Sequence, residues 1–208
     1  MSIQQIQHLR LADYPRMPWR NGGGVTTEVA CQGSGLQHFD WRLSIADVGQ
    51  DGPFSVFSGM QRIIAVLEGT GIEMTVDGQT QAPLTLQQPY AFSGNSAVQC
   101  RLLDGPIRDF NLIYSPQRYR ARLQWLQGTD SQTFYSCAET VLVFNAGQAL
   151  QIAVDGASHA AMLAHHDCLR VETDAALTEY CLAATRGEGV NACVIELQAI
   201  APDAARKA

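Results

Sequence analysis

Short stretches in which apolar and polar residues alternate run along most of the chain and predict β-strands. The alternation is clearest in residues 39–45, where apolar positions interleave with polar ones: Phe39, Trp41, Leu43 and Ile45 against Asp40, Arg42 and Ser44. This period of two indicates a strand with one apolar and one polar face. Arg62 then leads into residues 63–67, which are apolar on both faces, as in a strand buried between two layers.

Turn signals separate these strands at short intervals. Asp77-Gly78 is a strong hairpin signal, and Asp104-Gly105-Pro106 marks a further turn. No helical pattern of ten or more residues occurs in the first half of the chain. The pattern therefore predicts an all-β fold with little helix, built as a sandwich or barrel.

The second half of the chain repeats the pattern of the first. Residues 66–78 align without a gap on residues 144–156, which places Asp77-Gly78 opposite Asp155-Gly156. We therefore predict two similar β units divided near residue 116. The expected domains are an N-terminal barrel with a ligand pocket (1–116), a C-terminal barrel (117–200) and a polar tail (201–208).

Charge and composition exclude several classes of function. The chain has 208 residues, with 14 Lys+Arg against 20 Asp+Glu and a net charge of -6, so a nucleic-acid partner is not expected. No apolar run is long enough to span a membrane, and the N-terminus shows no signal-peptide core, which predicts a cytoplasmic location. Six cysteines without a C-x-x-C pair are typical of buried thiols in a reducing compartment.

The order "apolar strand, E-G-x-G, alternating strand, D-G" resembles the cupin superfamily. The resemblance implies a duplicated cupin (bicupin) with two jelly-roll-like β-barrels. A typical metal cupin carries an H-x-H pair just before such a run and another histidine on a later strand. Residues 57–62 and 89–94 occupy these places and contain no histidine. We therefore expect no metal and no cofactor in the first barrel.

A more specific set of motifs spans residues 10–115. It comprises Trp19-Arg20-Asn21, Gly24, Thr26, Glu28, Phe39, Trp41-Arg42, Ser44-Ile45-Ala46, Gly52, Phe54-Ser55, Phe57, Gly59, Arg62, Leu67-Glu68-Gly69 and Asp109-Phe110-Asn111. Together they resemble the HutD/Ves family of bicupin proteins. The resemblance implies a small-ligand role and an association with bacterial histidine utilisation, with one branch associated with stress response.

Polar residues at alternating strand positions of the first barrel either line a pocket or have structural roles, and the resemblance to the HutD/Ves family favours the pocket. In a jelly roll one face of each strand looks inward, and polar groups there must be paired or line a cavity. Two arginines suit a carboxylate, because the guanidinium fork binds it through two parallel hydrogen bonds. The alternative is that these residues face solvent or form two ion pairs, Arg42 with Glu28 and Arg62 with Asp109.

The predicted ligand site belongs to the first barrel. It consists of Asn21, Thr26, Glu28, Trp41, Arg42, Ser44, Phe57, Arg62, Asp109 and Asn111. In this hypothesis the arginines supply charge, Asn21, Ser44 and Asn111 supply neutral hydrogen bonds, and Trp41 or Phe57 forms an apolar wall. No residue is assigned as catalytic.

One cluster outside this site has residue types that bind metals: His165-His166-Asp167-Cys168. Adjacent residues of a strand point to opposite faces, so the two histidines cannot easily serve one ion. A surface turn is the favoured interpretation.

Three functions remain open. The first is a binding protein that captures a small carboxylate metabolite of the urocanate or N-formylglutamate type and modulates histidine utilisation. The second is a metal-independent enzyme of isomerase or deformylase type that uses Glu28 or Asp109. The third is an interaction protein that uses its outer sheet faces. The lack of a metal triad and of a clear nucleophile favours the first, and a homodimer is compatible with all three.

Overall fold

The computed structural model describes residues 3–19, 22–34, 38–156, 159–185 and 189–201, and every structural statement below concerns these residues. They form nineteen β-strands and one short 3₁₀ helix, Leu11–Asp13, and no α-helix occurs among them. The predicted all-β fold with little helix is therefore confirmed. In this part of the chain no helix is long and apolar enough to cross a membrane.

The chain divides into two compact units of β-structure. One consists of residues 14–117 and is called the N-terminal unit; the other combines residues 1–13 with residues 118–208 and is called the C-terminal unit. The division between Gln117 and Arg118 lies one residue from the predicted boundary.

The N-terminal unit contains ten strands in two sheets. They are β2 (Arg16–Pro18), β3 (Gly24–Ser34), β4 (His38–Val48), β5 (Gly52–Pro53), β6 (Gln61–Glu68), β7 (Ile72–Val76), β8 (Gln79–Thr80), β9 (Tyr90–Ser93), β10 (Val98–Leu102) and β11 (Ile107–Tyr114). The six-stranded sheet has the order β2-β3-β4-β11-β6-β9, and the four-stranded sheet has the order β5-β10-β7-β8. All of their ladders are antiparallel.

The C-terminal unit contains nine strands. They are β1 (Ile3–Leu9), β12 (Tyr119–Gly128), β13 (Gln132–Ser136), β14 (Thr140–Asn145), β15 (Leu150–Val154), β16 (His159–Leu163), β17 (Cys168–Thr173), β18 (Thr178–Ala184) and β19 (Val190–Ala199). They form a five-stranded sheet, β1-β17-β14-β19-β12, and a four-stranded sheet, β13-β18-β15-β16.

The first strand corrects the predicted domain limits. We placed residues 1–13 in the N-terminal barrel, but β1 pairs antiparallel with β17 from Ile3 opposite Thr173 to Leu9 opposite Cys168. Ile3 and Ile6 pack against the apolar core of the C-terminal unit. The strand joins that unit because its apolar positions and its backbone hydrogen bonds are both satisfied there.

The predicted barrels are jelly-roll-like, but they are not closed. Each unit has two separate sheets, and the described ladders do not join one sheet to the other into a complete ring. In the N-terminal unit only two isolated bridges lie outside the named ladders, Val66 with Leu86 and Ile72 with Leu84. Each unit is therefore a two-layer sandwich that encloses its own core.

The predicted hairpin signals occur in both units with the same backbone geometry. Asp77 and Gly78 have φ angles of 50° and 80°, and Asp155 and Gly156 have 50° and 71°. In the N-terminal unit Val76 pairs with Gln79, and positive φ at both residues between them is the geometry of a type I′ turn, which Asp-Gly favours. In the C-terminal unit Val154 pairs with His159, so Asp155-Gly156 begins a longer loop. The repeat from β7 into this turn therefore has its counterpart in β15.

The gapless alignment of residues 66–78 on residues 144–156 is wrong by one residue at its start, where it compares β6 with β14. Val66 faces the core of its unit, and the alignment placed it opposite Phe144. In β14, however, Val141 and Val143 are the core-facing residues, so Phe144 lies on the other face. The β6–β11 ladder contains a register shift next to Asp109, whereas no such shift occurs between β14 and β19. This register shift adds one residue to β6 relative to β14 and accounts for the one-residue error of the alignment.

Candidate functional site

Arg42 and Arg62 lie on one face of the six-stranded sheet. Both are paired in register with Ile113 of the intervening strand β11, one from β4 and the other from β6. Their Cα atoms are therefore about 10 Å apart, the width of two strand spacings. Alternate residues of the same strands, Ala46 and Ile64, belong to the core between the two sheets. Both arginines thus point into the unit, and they are only 7% and 4% exposed.

Aromatic rings surround the two guanidinium groups. The rings that contact these guanidinium groups belong to four phenylalanines: Phe39, Phe54, Phe57 and Phe92. The Arg42 Cζ atom lies 4.7 Å from the centroid of Phe39 and 5.4 Å from that of Phe57. The Arg62 Cζ atom lies 4.9 Å from Phe92 and 5.3 Å from both Phe54 and Phe57. The single ring of Phe57 therefore makes a cation–π contact with both arginines.

Neither arginine has an acidic partner at ion-pair distance among the described side chains. The two ion pairs considered as the alternative, Arg42–Glu28 and Arg62–Asp109, are both absent from this part of the chain. Arg62 donates one hydrogen bond, from Nη1 to the Ser55 carbonyl oxygen at 3.1 Å. The Nε atoms of both arginines are buried without a hydrogen-bond partner. Unused donors on buried cations are costly, so they point to a missing acceptor.

Burial lowers the pKa of both arginines. The pKa of Arg62 falls to about 10 because the side chain is desolvated; the charge of Asp109 opposes this, and the nearby charge of Arg42 adds to it. Burial also lowers the pKa of Arg42, against the favourable charge of Glu28. Both groups are still protonated at neutral pH. The site therefore holds two positive charges that repel each other in a low-dielectric interior.

Three more polar residues continue the inner face below the arginines. Asn111 pairs in register with Ser44 on one side and Ile64 on the other, and Asp109 lies between Ala46 and Val66. Ser44, Asp109 and Asn111 are all buried. The Oδ1 atoms of Asn111 and Asp109 have no hydrogen-bond partner. Acceptors thus lie deep in the unit, beyond the arginine donors.

The Asp109 carboxyl group is strongly perturbed. Burial raises its pKa to about 7, although the charge of Arg62 and a hydrogen bond from the Ala46 backbone both favour the ionised form. The desolvation of a fully enclosed carboxylate outweighs these two stabilising contacts. Asp109 is therefore poised between its neutral and charged forms near physiological pH.

Strand β3 brings the remaining predicted polar residues to the edge of this face. Glu28 pairs with Ser44 and Thr26 pairs with Ala46, and both side chains are half-buried. Thr26 Oγ1 accepts a hydrogen bond of 2.8 Å from Trp19 Nε1. Thr26 and Glu28 thus flank the interior cluster.

One predicted site residue, Trp41, is not in this cluster. Trp41 is buried, but it precedes Arg42 in β4 and so lies on the opposite face of the sheet. Of the two candidates for the apolar wall, Trp41 therefore lies on the other face, whereas the Phe57 ring contacts both arginines. Asn21 lies outside the described residues.

Sequence reasoning missed three of the four aromatic rings as site residues. Phe39 and Phe54 belong to the motif set and precede Arg42 and Phe57 by three residues each, a nearness that could have been noticed. Phe92 pairs in register with Arg62 across β9 and β6. That contact links residues thirty positions apart, so only the strand pairing could reveal it.

A surface cleft of about 510 Å³ lies at the other end of the same strands. It is lined by Gly22–Val25, Asp47–Gln50, Glu68, Gly69 and Pro106–Arg108. The cation there is already paired, because Arg108 Nε lies 2.7 Å from Asp47 Oδ1 and its Nη1 lies 2.9 Å from Glu68 Oε1. The cleft is open, but its charges are satisfied. The uncompensated charge of the unit is instead enclosed at Arg42 and Arg62.

The corresponding interior of the C-terminal unit is apolar. Its core-facing residues on β14 and β19 are Val141, Val143, Ala192 and Val194. These strands take the central positions that β6 and β11 take in the N-terminal unit. The row of buried polar residues on β6 and β11 therefore has no counterpart at these four positions of the C-terminal unit.

The His165-His166-Asp167 segment forms the predicted turn, but only part of it is at the surface. His165 is exposed, whereas His166 and Asp167 are buried. Asp167 accepts hydrogen bonds from His8 Nε2 at 2.8 Å, from the Leu11 amide at 2.9 Å and from the Ala164 amide at 3.1 Å. Its carboxylate thus fastens the end of β1 to the C-terminal unit. The surface-turn interpretation is corrected for these two buried residues.

Comparison with known proteins shows the family of this chain. The profile of the HutD family matches residues 11–188. The chain belongs to the HutD family. An uncharacterized 21.2 kDa protein in the hutC 3′ region of Pseudomonas putida is 54% identical over 171 residues, or 82% of this chain and 88% of that protein. The Ves protein of Escherichia fergusonii is 34% identical over 64% of this chain and 71% of its own.

A solved member of the HutD family has the same fold. The structure of HutD from Pseudomonas fluorescens SBW25, in a formate condition, matches with a TM-score of 0.82 and 49% identity. The match covers 94% of this chain and 100% of that chain. The HutD family is linked to histidine utilisation. The predicted HutD/Ves resemblance and bicupin fold are therefore confirmed.

Proposed function

We propose that the N-terminal unit of this HutD-family protein binds a small carboxylate metabolite at Arg42 and Arg62, and that occupancy modulates histidine utilisation. The observation that carries the proposal is a pair of buried arginines that have, among the described residues, no acidic partner at ion-pair distance and no partner for either Nε donor. A carboxylate supplies the missing negative charge and accepts two parallel hydrogen bonds from a guanidinium.

The surroundings favour a small and partly apolar ligand. Phe57 lies against both cations, so a carboxylate next to it has a flat apolar wall on one side. Asn111 and Asp109 offer unused oxygens below. A ligand that carries a carboxylate at one end and an N–H or O–H donor further along would satisfy both groups.

The pathway suggests which ligands to test. Urocanate and N-formylglutamate are carboxylates of histidine utilisation, and each also carries an N–H group. Formate is the smallest carboxylate, and it is named with the P. fluorescens HutD structure. We propose urocanate or N-formylglutamate as the ligand class, with formate as a minimal probe.

Removing either arginine is expected to weaken carboxylate binding by about ten- to a hundredfold, because one charge-assisted hydrogen bond contributes roughly 1.5–3 kcal/mol. The measurement is calorimetric titration of urocanate, N-formylglutamate, formate and histidine into wild type, Arg42→Gln and Arg62→Gln. Recovery of the ligand unchanged by chromatography after long incubation separates binding from turnover.

Arg101→Gln is the matched control for these variants. Arg101 is exposed on β10 and donates a hydrogen bond of 3.0 Å to Glu73 Oε1. The substitution therefore removes a positive charge from the same unit without changing the site. It is expected to bind as wild type does. The proposal is wrong if no anion binds wild type, or if folded Arg42→Gln and Arg62→Gln bind as tightly as Arg101→Gln.

A further inference from the structure

Asp109 occupies the centre of the N-terminal unit, below the proposed carboxylate site. It projects from β11 on the same face of the sheet as Arg42 and Arg62. Asp109 precedes Ile113, the residue of β11 that pairs with both arginines, by four residues. It is 3% exposed, and Cys100 of the opposing four-stranded sheet is close enough to feel its charge. The carboxyl group is therefore enclosed between the two sheets.

The groups around Asp109 leave an ionised carboxylate poorly stabilised. Arg62 on β6 is the cation that acts on it, but the two do not reach ion-pair distance; Asp47 on β4 is a repelling carboxylate. Arg42 and Glu28 lie further along the same sheet face, and Cys100 faces it from β10. The Ala46 backbone supplies one hydrogen bond, and Oδ1 has none.

We propose that binding of an anion at Arg42 and Arg62 is coupled to uptake of one proton from solvent by Asp109. The inference rests on the proposed function and adds a regulation to it. The positive charge of Arg62 is what favours the ionised form of Asp109 in the empty site. A bound carboxylate neutralises that charge and places a second negative charge in the same interior, so the neutral acid becomes the stable form.

The sign of the pH dependence follows from this exchange. In the ligand-free protein the pKa of Asp109 is raised to about 7, and a bound anion raises it further. Between these two pKa values the complex binds more protons than the free protein does, so affinity falls as pH rises. We expect the dissociation constant to increase about twentyfold from pH 6.5 to pH 8.5.

Other groups of the site do not mask this signal. The pKa of Arg62 is about 10 and that of Cys100 is raised by burial to about 12, so both are already protonated at pH 8. The carboxyl groups of N-formylglutamate and formate have pKa values near 4 or below and remain ionised throughout this range. Urocanate is avoided, because its imidazole titrates near neutral pH.

The experiment is calorimetric titration of N-formylglutamate, and of formate as a second probe, in triethanolamine and in Tris at the same pH, because neither buffer is an anion that could occupy the arginine site. These buffers differ in ionisation enthalpy, so the difference in binding heat gives the number of protons taken up. We expect about half a proton per ligand at pH 7 and close to one at pH 8 for wild type. Asp109→Asn is expected to take up none and to bind with little dependence on pH.

Asp104→Asn is the matched control, because Asp104 is an exposed carboxyl in a turn of the same unit. It is expected to take up protons as wild type does. If Asp109→Asn does not fold, Asp109→Ser makes the same comparison. Carboxylate binding with the same heat in both buffers and a constant affinity from pH 6.5 to 8.5 would overturn the coupling and leave the proposed site intact. No binding of either probe at any pH would instead overturn the site itself.

Discussion

Replacing Arg62 with methionine is expected to stabilise the ligand-free protein while weakening its binding of carboxylates about ten- to a hundredfold. The guanidinium is 4% exposed and makes one hydrogen bond, to Ser55. Its three phenylalanine contacts favour the cation by roughly 2 kcal/mol when desolvated. Burial nevertheless lowers its pKa to about 10, so the environment as a whole disfavours the charge.

Methionine suits the vacated space, since it is unbranched and its sulfur packs well against aromatic rings. Replacing a buried ionic group by an apolar one of similar volume often stabilises a protein by about 1–4 kcal/mol. We expect a gain of this size in the free energy of unfolding, measured by urea denaturation at pH 7. Such a gain is typical of a residue kept for binding at the expense of stability.

Arg101→Met is the control, since the exposed pair of Arg101 with Glu73 contributes little. Its free energy of unfolding is expected to stay within about 0.5 kcal/mol of wild type. If Arg62→Met unfolds more easily than wild type by 1 kcal/mol or more, Arg62 is a structural support and not a ligand-binding group.

Replacing Gly94 with alanine is expected to destabilise the N-terminal unit and to weaken carboxylate binding. Gly94 holds residues 54–60 against β9: its amide donates to the Met60 carbonyl at 2.8 Å, and its carbonyl accepts from the Phe57 amide at 2.8 Å. An added Cβ would overlap the Phe57 carbonyl oxygen and lie 2.9 Å from that of Met60. Both are backbone atoms, which cannot move aside like the end of a flexible side chain.

The clash therefore displaces residues 54–60, together with the Phe57 ring that contacts both arginines. The expected loss in the free energy of unfolding is about 3 kcal/mol, the upper part of the usual range for overpacking. Urea denaturation measures this loss, and titration of N-formylglutamate measures the accompanying loss of affinity. Gly52→Ala is the matched control, because a Cβ at Gly52 meets nothing within 4 Å. Equal stability of the two variants would contradict the described packing of residues 54–60.

Local patterns were enough to predict the strands and which residues share a face with Arg42, whereas its inner position was favoured by the family resemblance. The alternation of Arg42 and Ser44 with Trp41 and Leu43 predicts which face of β4 is polar, and strand geometry transmits this directly into the fold. The Asp-Gly turns were equally readable, because positive φ at two successive positions restricts the residues that fit. These features depend on neighbours in sequence.

Features that depend on distant pairing could not be predicted in this way. Nothing in residues 3–9 states that they pair with β17 rather than with a strand of the N-terminal unit. The register shift beside Asp109 moves the correspondence between the two units by one residue, and no residue type in the sequence signals it. Phe92 reaches Arg62 only through the β6–β9 ladder. Such contacts are fixed by the sum of core packing, not by a local signal.

The absence of the Arg42–Glu28 and Arg62–Asp109 ion pairs among the described residues also could not be predicted from the sequence. Charge pattern alone allowed both pairs, since Glu28 and Asp109 lie on the same face as the arginines. Whether the side chains meet depends on their rotamers and on the phenylalanine rings that hold the guanidinium groups. Contacts of this kind with aromatic rings stabilise a cation without an acidic partner, and they cannot be predicted from the charge pattern.

A crystal structure of the protein with bound N-formylglutamate tests the carboxylate site most directly. The predicted result is ligand density in the N-terminal unit, with carboxylate oxygens about 2.7–3.2 Å from guanidinium nitrogens of both Arg42 and Arg62 and with the Phe57 ring alongside. Density only in the cleft beside Arg108, with the two buried arginines in their ligand-free contacts, would contradict it.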